Sequence, residues 1–164
     1  MIRLALFQPD IPQNTGTLAR LCACLGVALD IIEPAGFDVS DRNFRRAGMD
    51  YLERAAIMRH DSFPAFEVWR KALARRLVLV ETDGTAAYTE FSFGAGDILL
   101  VGRESAGVTG EVYAAADASV FIPQAHGLRS INVAAASAMV LGEALRQTGG
   151  FIPPKQDEQN EPND

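Results

Sequence analysis

The sequence has few of the residues that most often bind metals or act as nucleophiles, with two cysteines and two histidines among 164 residues. His60 and His126 are too few for a convincing metal site, and neither has a nearby Ser or Cys at nucleophile-elbow spacing. Cys22 and Cys24 lie two apart on a predicted helix and point to different sides, which argues against a disulfide. The sequence therefore predicts no metal, no hydrolase triad, and two buried free thiols in a reducing cytoplasm.

Long apolar runs are also missing. No stretch is long enough to span a bilayer, and the first apolar run, residues 4–7, ends at Gln8-Pro9-Asp10, which is unlike a signal peptide. Gly94-Ala95-Gly96 precedes a predicted strand instead of following one, so it is no dinucleotide fingerprint, and there is no phosphate-binding P-loop. We therefore expect a cytoplasmic protein without a membrane partner.

The net charge of -6 argues against nucleic-acid binding only until its distribution is considered. Residues 42–76 contain nine Arg or Lys and four acidic residues, so the rest of the chain is strongly acidic. A local basic face on an acidic body can bind phosphates. Charge alone favours the alternative, a set of solvated helix faces.

Apolar segments alternate with helical patterns along most of the chain. The predicted strands are residues 2–7, 29–33, 77–81, 97–101 and 118–122. The pattern of residues 51–58 fits either a strand or an edge segment. The predicted helices start at Asn14 or Thr15, at Ser62, near Thr109 and near Asn132, and end near Gly26, Arg76, Ala116 and Gln147. This order predicts an α/β domain over residues 1–150, with a mostly parallel sheet covered by helices on both faces. Residues 151–164 read as an acidic, disordered tail.

Three polar or glycine-rich segments lie where ligands of parallel sheets usually bind, beyond the carboxyl ends of strands. They are residues 12–20, residues 102–107, and residues 122–136, in which Ser130 and Asn132 stand where a polar loop enters an alanine-rich helix. Each segment could also be a plain joint between elements, and a solvated arginine is the simplest reading of Arg20.

Together, in this order and spacing, the three segments resemble the SPOUT superfamily of RNA methyltransferases. Pro12-x-Asn14-x-Gly16-x-x-x-Arg20 is similar to the first motif of that family. Gly102-Arg103-Glu104 followed by Gly107 is similar to the second, although Arg103 stands where many relatives have proline. Ile122-Pro123 followed by Leu128-Arg129-Ser130-Ile131-Asn132 is similar to the third. The resemblance covers residues 1–150.

The resemblance implies a fold in which the C-terminal part threads through a loop to form a deep trefoil knot, against the usual rule for chain connections. It also implies S-adenosylmethionine as the cofactor and a homodimer in which each site is completed by the partner. Carried over by position, the cofactor-binding residues are Val80, Thr82, Gly102, Ile122, Leu128 and Ser130.

Further residues resemble the single-domain branch of the family, which methylates the ribose 2'-OH of the wobble nucleotide, C or modified U at position 34 of tRNA. The resemblance casts Arg20 as catalytic, and Asn14, Ser130 and Asn132 are polar groups that could orient the hydroxyl. Because a guanidinium stays protonated at neutral pH, Arg20 would stabilise the developing alkoxide or hold a phosphate. The expected partner is the anticodon stem-loop, with Arg45, Arg46 and Arg59 as RNA-binding candidates.

Three other functions stay open on the sequence alone. One is methylation of a different tRNA position or of ribosomal RNA by the same kind of enzyme. Another is a non-catalytic knotted RNA-binding module. The last is a small-molecule α/β enzyme that uses the same strand ends.

Overall fold

A computed structural model describes residues 1–38, 55–127 and 130–153. The strands of this part of the chain are β1 (Arg3–Phe7), β2 (Ala28–Ile32), β3 (Ile57–His60), β4 (Leu77–Val80), β5 (Ala86–Ala87), β6 (Ile98–Val101) and β7 (Ala118–Phe121). Its helices are α1 (Pro12–Leu25), α2 (Phe63–Ala72), α3 (Gly110–Ala115) and α4 (Val133–Thr148).

The strands form one sheet in the order β3-β2-β1-β6-β4-β7-β5, and every neighbouring pair is parallel. The predicted α/β class is therefore confirmed, and the undecided segment 51–58 contributes its end to strand β3. The trefoil knot stays a prediction, and residues 154–164 of the predicted tail lie outside the described residues.

Side chains that alternate along the strands build a separate apolar core on each face of the sheet. Leu4 and Leu6 of β1 face one core, where Leu18 of α1 and Leu141 of α4 pack. Phe7 faces the opposite core, which is closed by the aromatic residues of α2 and by α3. The strands are apolar on both sides because helices cover both sides.

Helix α1 begins two to three residues before the predicted caps Asn14 and Thr15. Its N-cap is Ile11, which makes no side-chain capping bond, and Pro12 occupies the first turn. Proline suits this position because its fixed φ is helical and it has no N–H that would need an acceptor. As a result Asn14 lies inside the first turn, and its side chain is available for contacts outside the helix.

Helix α2 begins as predicted and ends earlier than predicted. Ser62 caps it, since its Oγ accepts a hydrogen bond from Ala65 N at 3.3 Å. The helix stops at Ala72 rather than near Arg76. The chain turns at Ala74, which has a φ of 50°, and Arg70 Nη1 donates to the Arg75 carbonyl oxygen at 2.8 Å. This bond gives the Arg75 carbonyl oxygen, which lies beyond the end of the helix, a hydrogen-bond partner.

The described residues show the state of the two cysteines and the length of the apolar helices. Both cysteines are free thiols, but Cys22 is buried and Cys24 is exposed, so the prediction of two buried thiols is wrong for Cys24. Their spacing of two residues on a helix places them on different faces. No helix within residues 1–38, 55–127 and 130–153 combines the length and apolar content needed to cross a bilayer.

A buried ionic network ties the first three strands together. Asp30 of β2 is fully buried, and its carboxylate accepts two bonds from the Arg3 guanidinium at 2.7 and 2.9 Å. His60 Nε2 lies 2.9 Å from Asp30 Oδ1 on the other side. Each of these side chains comes from a different neighbouring strand, so the network fixes the order of β1, β2 and β3.

We predict that Asp30→Ala lowers the free energy of unfolding by about 3–5 kcal/mol, because it leaves the largely buried Arg3 charge without its partner. Urea denaturation followed by circular dichroism would measure the loss. Asp61→Ala, which removes an exposed carboxylate directly after β3, is the control and should leave the unfolding midpoint close to that of the wild type. Equal losses in the two variants would contradict the prediction.

Candidate active site

A cavity of about 290 Å³ lies at the carboxyl ends of three strands that are adjacent in the sheet, β6, β4 and β7. Val80 pairs in register with both Val101 and Val120, so these strands end at the same level. The residues that follow them, Thr82 and Gly102 among them, meet in one place. This is where parallel α/β sheets bind ligands.

Most of the residues that the sequence motifs single out line this cavity. Five of the six predicted cofactor-binding residues do so, namely Val80, Thr82, Gly102, Ile122 and Ser130, and Asn14 and Asn132 lie beside them. The sixth, Leu128, lies outside the described residues. The three sequence segments therefore come together in space.

A tight turn after β6 forms one wall of the cavity. Arg103 N donates to the Gly107 carbonyl oxygen at 2.9 Å, and Gly107 N donates to the Arg103 carbonyl oxygen at 2.8 Å. A Cβ on Gly102 would lie 2.6 Å from the Gly107 carbonyl carbon, and Gly107 itself has a φ of 63°. Only glycine fits these two positions without moving the backbone.

Asn132 joins the start of helix α4 to helix α1. Its Oδ1 accepts hydrogen bonds from Ala134 N at 2.9 Å and Ala135 N at 3.3 Å, which makes it the N-cap of α4. Its Nδ2 donates to Asn14 Oδ1 at 3.2 Å. One side chain therefore ends the polar loop, starts the helix and holds a neighbour in the site.

Glu104 joins the turn after β6 to the same pair of asparagines. Asn14 Nδ2 donates to Glu104 Oε1 at 3.1 Å. Asp10, in the loop after β1, accepts hydrogen bonds from Glu104 N at 3.2 Å, from Ser105 N at 3.3 Å and from the Ser105 hydroxyl. A continuous polar chain thus runs from Asp10 through Glu104 and Asn14 to Asn132, and all of its members except Asp10 line the cavity.

The two carboxyls of this chain shift each other's pKa in opposite directions. Burial, reinforced by the hydrogen bond with Asp10, raises the pKa of Glu104 above its ordinary value of 4.5. The hydrogen bond with Glu104 is the largest effect on Asp10 and lowers its pKa to about 2. Two close carboxyls cannot both ionise without repulsion, so Glu104 is the member of the pair that takes up a proton first as pH falls.

Besides Glu104, the carboxyl group of Glu81 lines the cavity, directly after β4. Burial raises its pKa, and the neighbouring Asp83 charge adds to that effect. Its Oε1 would lie 3.2 Å from a Cβ on Gly107, so Glu81 packs against the turn after β6. The cavity therefore presents acidic groups as well as the apolar side chains of Val80, Val101 and Ile122.

The arginines predicted to act on RNA have mixed placements. Arg20 is exposed on α1 and is not among the residues that line the cavity. Arg59 Nη2 lies 2.6 Å from Glu33 Oε1, in an ion pair whose arginine side chain is 56% exposed. Arg45 and Arg46 lie outside the described residues.

Sequence reasoning missed Asp10, Glu81 and Gln124 as residues of this region. Asp10 and Gln124 follow β1 and β7 within a few residues, and Glu81 directly follows β4. The rule that ligands bind beyond strand ends could have found all three, but they belong to no motif. In the sequence, Asp10 indicates only the end of an apolar run.

This geometry can now be compared with known proteins. The model of the SpoU rRNA Methylase family matches residues 1–142 of the chain. The chain belongs to this family. The resemblance seen in the three motifs is therefore confirmed, and each of the three motifs contributes residues that line the cavity.

Relatives and solved structures agree with the family. The chain is 62% identical over 150 residues to the tRNA (cytidine(34)-2'-O)-methyltransferase of Ancylobacter novellus, which covers 92% of this chain and 95% of the relative. A structure on the 2-OH methylation of C/U34 on tRNA is 40% identical, with a TM-score of 0.84 over 90% of this chain and 95% of that chain. The SpoU methyltransferase AviRb from Streptomyces viridochromogenes, solved in complex with AdoMet, is 28% identical, with a TM-score of 0.83 over 90% of this chain and 60% of that one.

We predict that Glu104→Gln removes a pH dependence of stability. Glutamine keeps the size of Glu104 and an acceptor for Asn14 Nδ2 but carries no charge at any pH. Because the pKa of Glu104 is raised in the folded state, its contribution to stability is complete at low pH and is lost as pH rises above about 4.5 through the raised pKa. Urea unfolding between pH 5 and 8 should show the wild type losing stability relative to Glu104→Gln.

Glu90→Gln is the control for this measurement, because Glu90 is an exposed carboxyl that does not line the cavity. Its stability should follow the wild type across the same range. Parallel curves for the wild type and Glu104→Gln would show that the pKa of Glu104 is not raised in the folded protein.

Proposed function

We propose that this chain transfers the methyl group of S-adenosylmethionine to the ribose 2'-OH of nucleotide 34 in tRNA, where the base is C or a modified U. The observation that carries the proposal is the high sequence identity of this chain to a relative named for this reaction. That identity extends over nearly the full length of both chains. A tRNA substrate also favours the cytoplasm as the place of action.

The residues that line the cavity suit the chemistry of S-adenosylmethionine. The cavity volume of about 290 Å³ lies just below the usual range for small-molecule sites. Val80, Val101 and Ile122 offer an apolar surface to an adenine ring, and the backbone turn at Gly102 gives close access. Glu81 is an acidic group suited to a positively charged ligand. When bound, the cofactor would supply a methyl group on a sulfonium, which is a good leaving group.

The harder part of the reaction is the ribose hydroxyl, which is a poor nucleophile at neutral pH. Asn14 and Asn132 hold each other and line the cavity, so they can orient that hydroxyl without moving themselves. Glu104 fixes Asn14 from the other side. Preorganised polar groups of this kind lower the barrier because they need no rearrangement during the reaction. Ser130 would help to bind the cofactor.

Arg20 would act across a homodimer. Its side chain is exposed and does not line the cavity of its own chain, and the motif resemblance implies that a partner completes each site. From a second copy, Arg20 would stabilise the developing alkoxide as a permanent cation. Arg45, Arg46 and Arg59 would contact the anticodon stem-loop, and affinity for tRNA should then fall as salt rises.

The direct test is to incubate the protein with methyl-labelled S-adenosylmethionine and tRNA transcripts that carry C34 or U34, and then to locate the label by nuclease digestion and mass spectrometry. We expect one methyl group on the 2'-oxygen of nucleotide 34. Gly102→Ala should lose the activity, since its added Cβ meets the Gly107 backbone and distorts the cavity wall.

Lys71→Gln is the control variant, because Lys71 is exposed on α2 and is paired with Glu67 away from the cavity. It should methylate at the wild-type rate. Label on another nucleotide or on ribosomal RNA would overturn the choice of substrate. Cofactor binding without any methyl transfer to RNA would overturn the proposed activity and favour a non-catalytic RNA-binding module.

A further inference from the structure

Arg103 is a charged residue of the cavity wall that the site described above leaves without a role. It follows Gly102 directly after β6 and lines the cavity beside Glu104. Its backbone is fixed by the two hydrogen bonds it exchanges with Gly107. The side chain therefore starts from a rigid turn in the cavity wall.

The Arg103 guanidinium has no polar partner within residues 1–38, 55–127 and 130–153. Its Nε is buried and makes no hydrogen bond. The guanidinium lies over the Phe7 ring, with Cζ 5.9 Å from the ring centroid. Other arginines of the same part of the chain form ion pairs with carboxylates, namely Arg3, Arg59, Arg70, Arg76 and Arg146.

An arginine in this state is prepared for a ligand. A buried donor without an acceptor costs free energy, and binding of a partner recovers that cost. The planar fork of a guanidinium matches the two oxygens of a carboxylate or phosphate. The flat face of Phe7 holds the fork in place without neutralising it. The expected ligand is therefore an oxyanion.

The surroundings of Arg103 favour a phosphate of the RNA. Among the described residues that line the cavity, Arg103 is the single lysine or arginine, whereas Glu81 and Glu104 are acidic. In RNA the 3'-phosphate is attached to the carbon next to the one that bears the 2'-OH. A site that orients the 2'-OH with Asn14 and Asn132 therefore brings a phosphodiester within a few ångströms of it.

From these observations we propose that Arg103 binds the phosphodiester group that adjoins the target ribose, and so positions the 2'-OH against the asparagine pair. This proposal rests on the proposed function, since it takes RNA as the substrate. It assigns to Arg103 a positioning contact with the substrate and no part in binding the cofactor.

The test compares Arg103→Gln with Lys71→Gln, which removes the same charge from an exposed ion pair on α2. Two quantities are measured separately: the Kd for unmodified tRNA as a function of salt, and the Kd for S-adenosylmethionine by calorimetry. For Arg103→Gln we expect tRNA binding about tenfold weaker, with a slope of log K against log salt smaller by about 1. Cofactor affinity should be unchanged, and Lys71→Gln should match the wild type in both.

Arg103→Lys gives a second reading, and thermal melting shows which variants are folded. Lysine keeps the charge but loses the fork, so the salt slope should stay close to that of the wild type while tRNA binding weakens. If Arg103→Gln does not fold, this variant carries the test alone. Wild-type tRNA affinity in the folded variants would overturn the proposal, and so would a loss of cofactor affinity without loss of tRNA affinity.

These binding measurements are independent of methyl transfer, so the two proposals can fail separately. If the wild type places the label on another nucleotide, but Arg103→Gln still weakens RNA binding and lowers the salt slope, the phosphate contact stands and the choice of nucleotide 34 fails. If the label is on nucleotide 34 and Arg103→Gln binds tRNA normally, the function stands and the phosphate contact is overturned.

Discussion

Hydrogen bonds from Asp10 through Glu104 and Asn14 to Asn132 connect parts of the chain that are far apart in sequence. Glu104 N and Asp10 are 94 residues apart, and the two asparagines are 118 residues apart. Each of these side chains lies in a loop or at a helix start beyond the end of a strand. Without these bonds, the cavity would be bounded by three loops with no common support. With them, each of these four side chains has a fixed neighbour, as preorganised catalysis requires.

The parallel sheet makes this chain of bonds possible. Because all strands run in the same direction, their carboxyl ends lie at one edge, and β1, β6, β4 and β7 are consecutive neighbours there. The buried ionic network of Arg3, Asp30 and His60 keeps β1 next to β2 and β2 next to β3. The tight turn of Gly102 and Gly107 brings Glu104 to the cavity. The ionic network therefore supports the β3-β2-β1 side of the sheet, while the cavity lies at the carboxyl ends of β6, β4 and β7.

The sequence predicts the elements and the location of the site well, because both follow from local patterns. Apolar segments separated by helical periodicity define the sheet, and the motif residues Gly102 and Asn132 stand at a strand end and at a helix start, respectively. The partners of these residues could not be predicted, since Glu104 meets Asn14 across 90 residues of chain. The start of α1 was also misplaced, because Asn14 has the chemistry of a helix cap but uses it to bind Glu104 and Asn132. No local pattern shows that Arg103 lacks a polar partner among the described residues, since this depends on contacts between distant parts of the chain.

A double-mutant cycle on Asn14 and Asn132 tests most directly whether the polar chain acts as one unit. The rate of methyl transfer would be measured in a single turnover, with tRNA and cofactor saturating, for Asn14→Ala, Asn132→Ala and the double variant. If the two asparagines work only through each other, the double variant should be about as slow as the slower single variant. Rate losses that multiply would mean that each asparagine acts alone, and the account of a single connected site would be wrong.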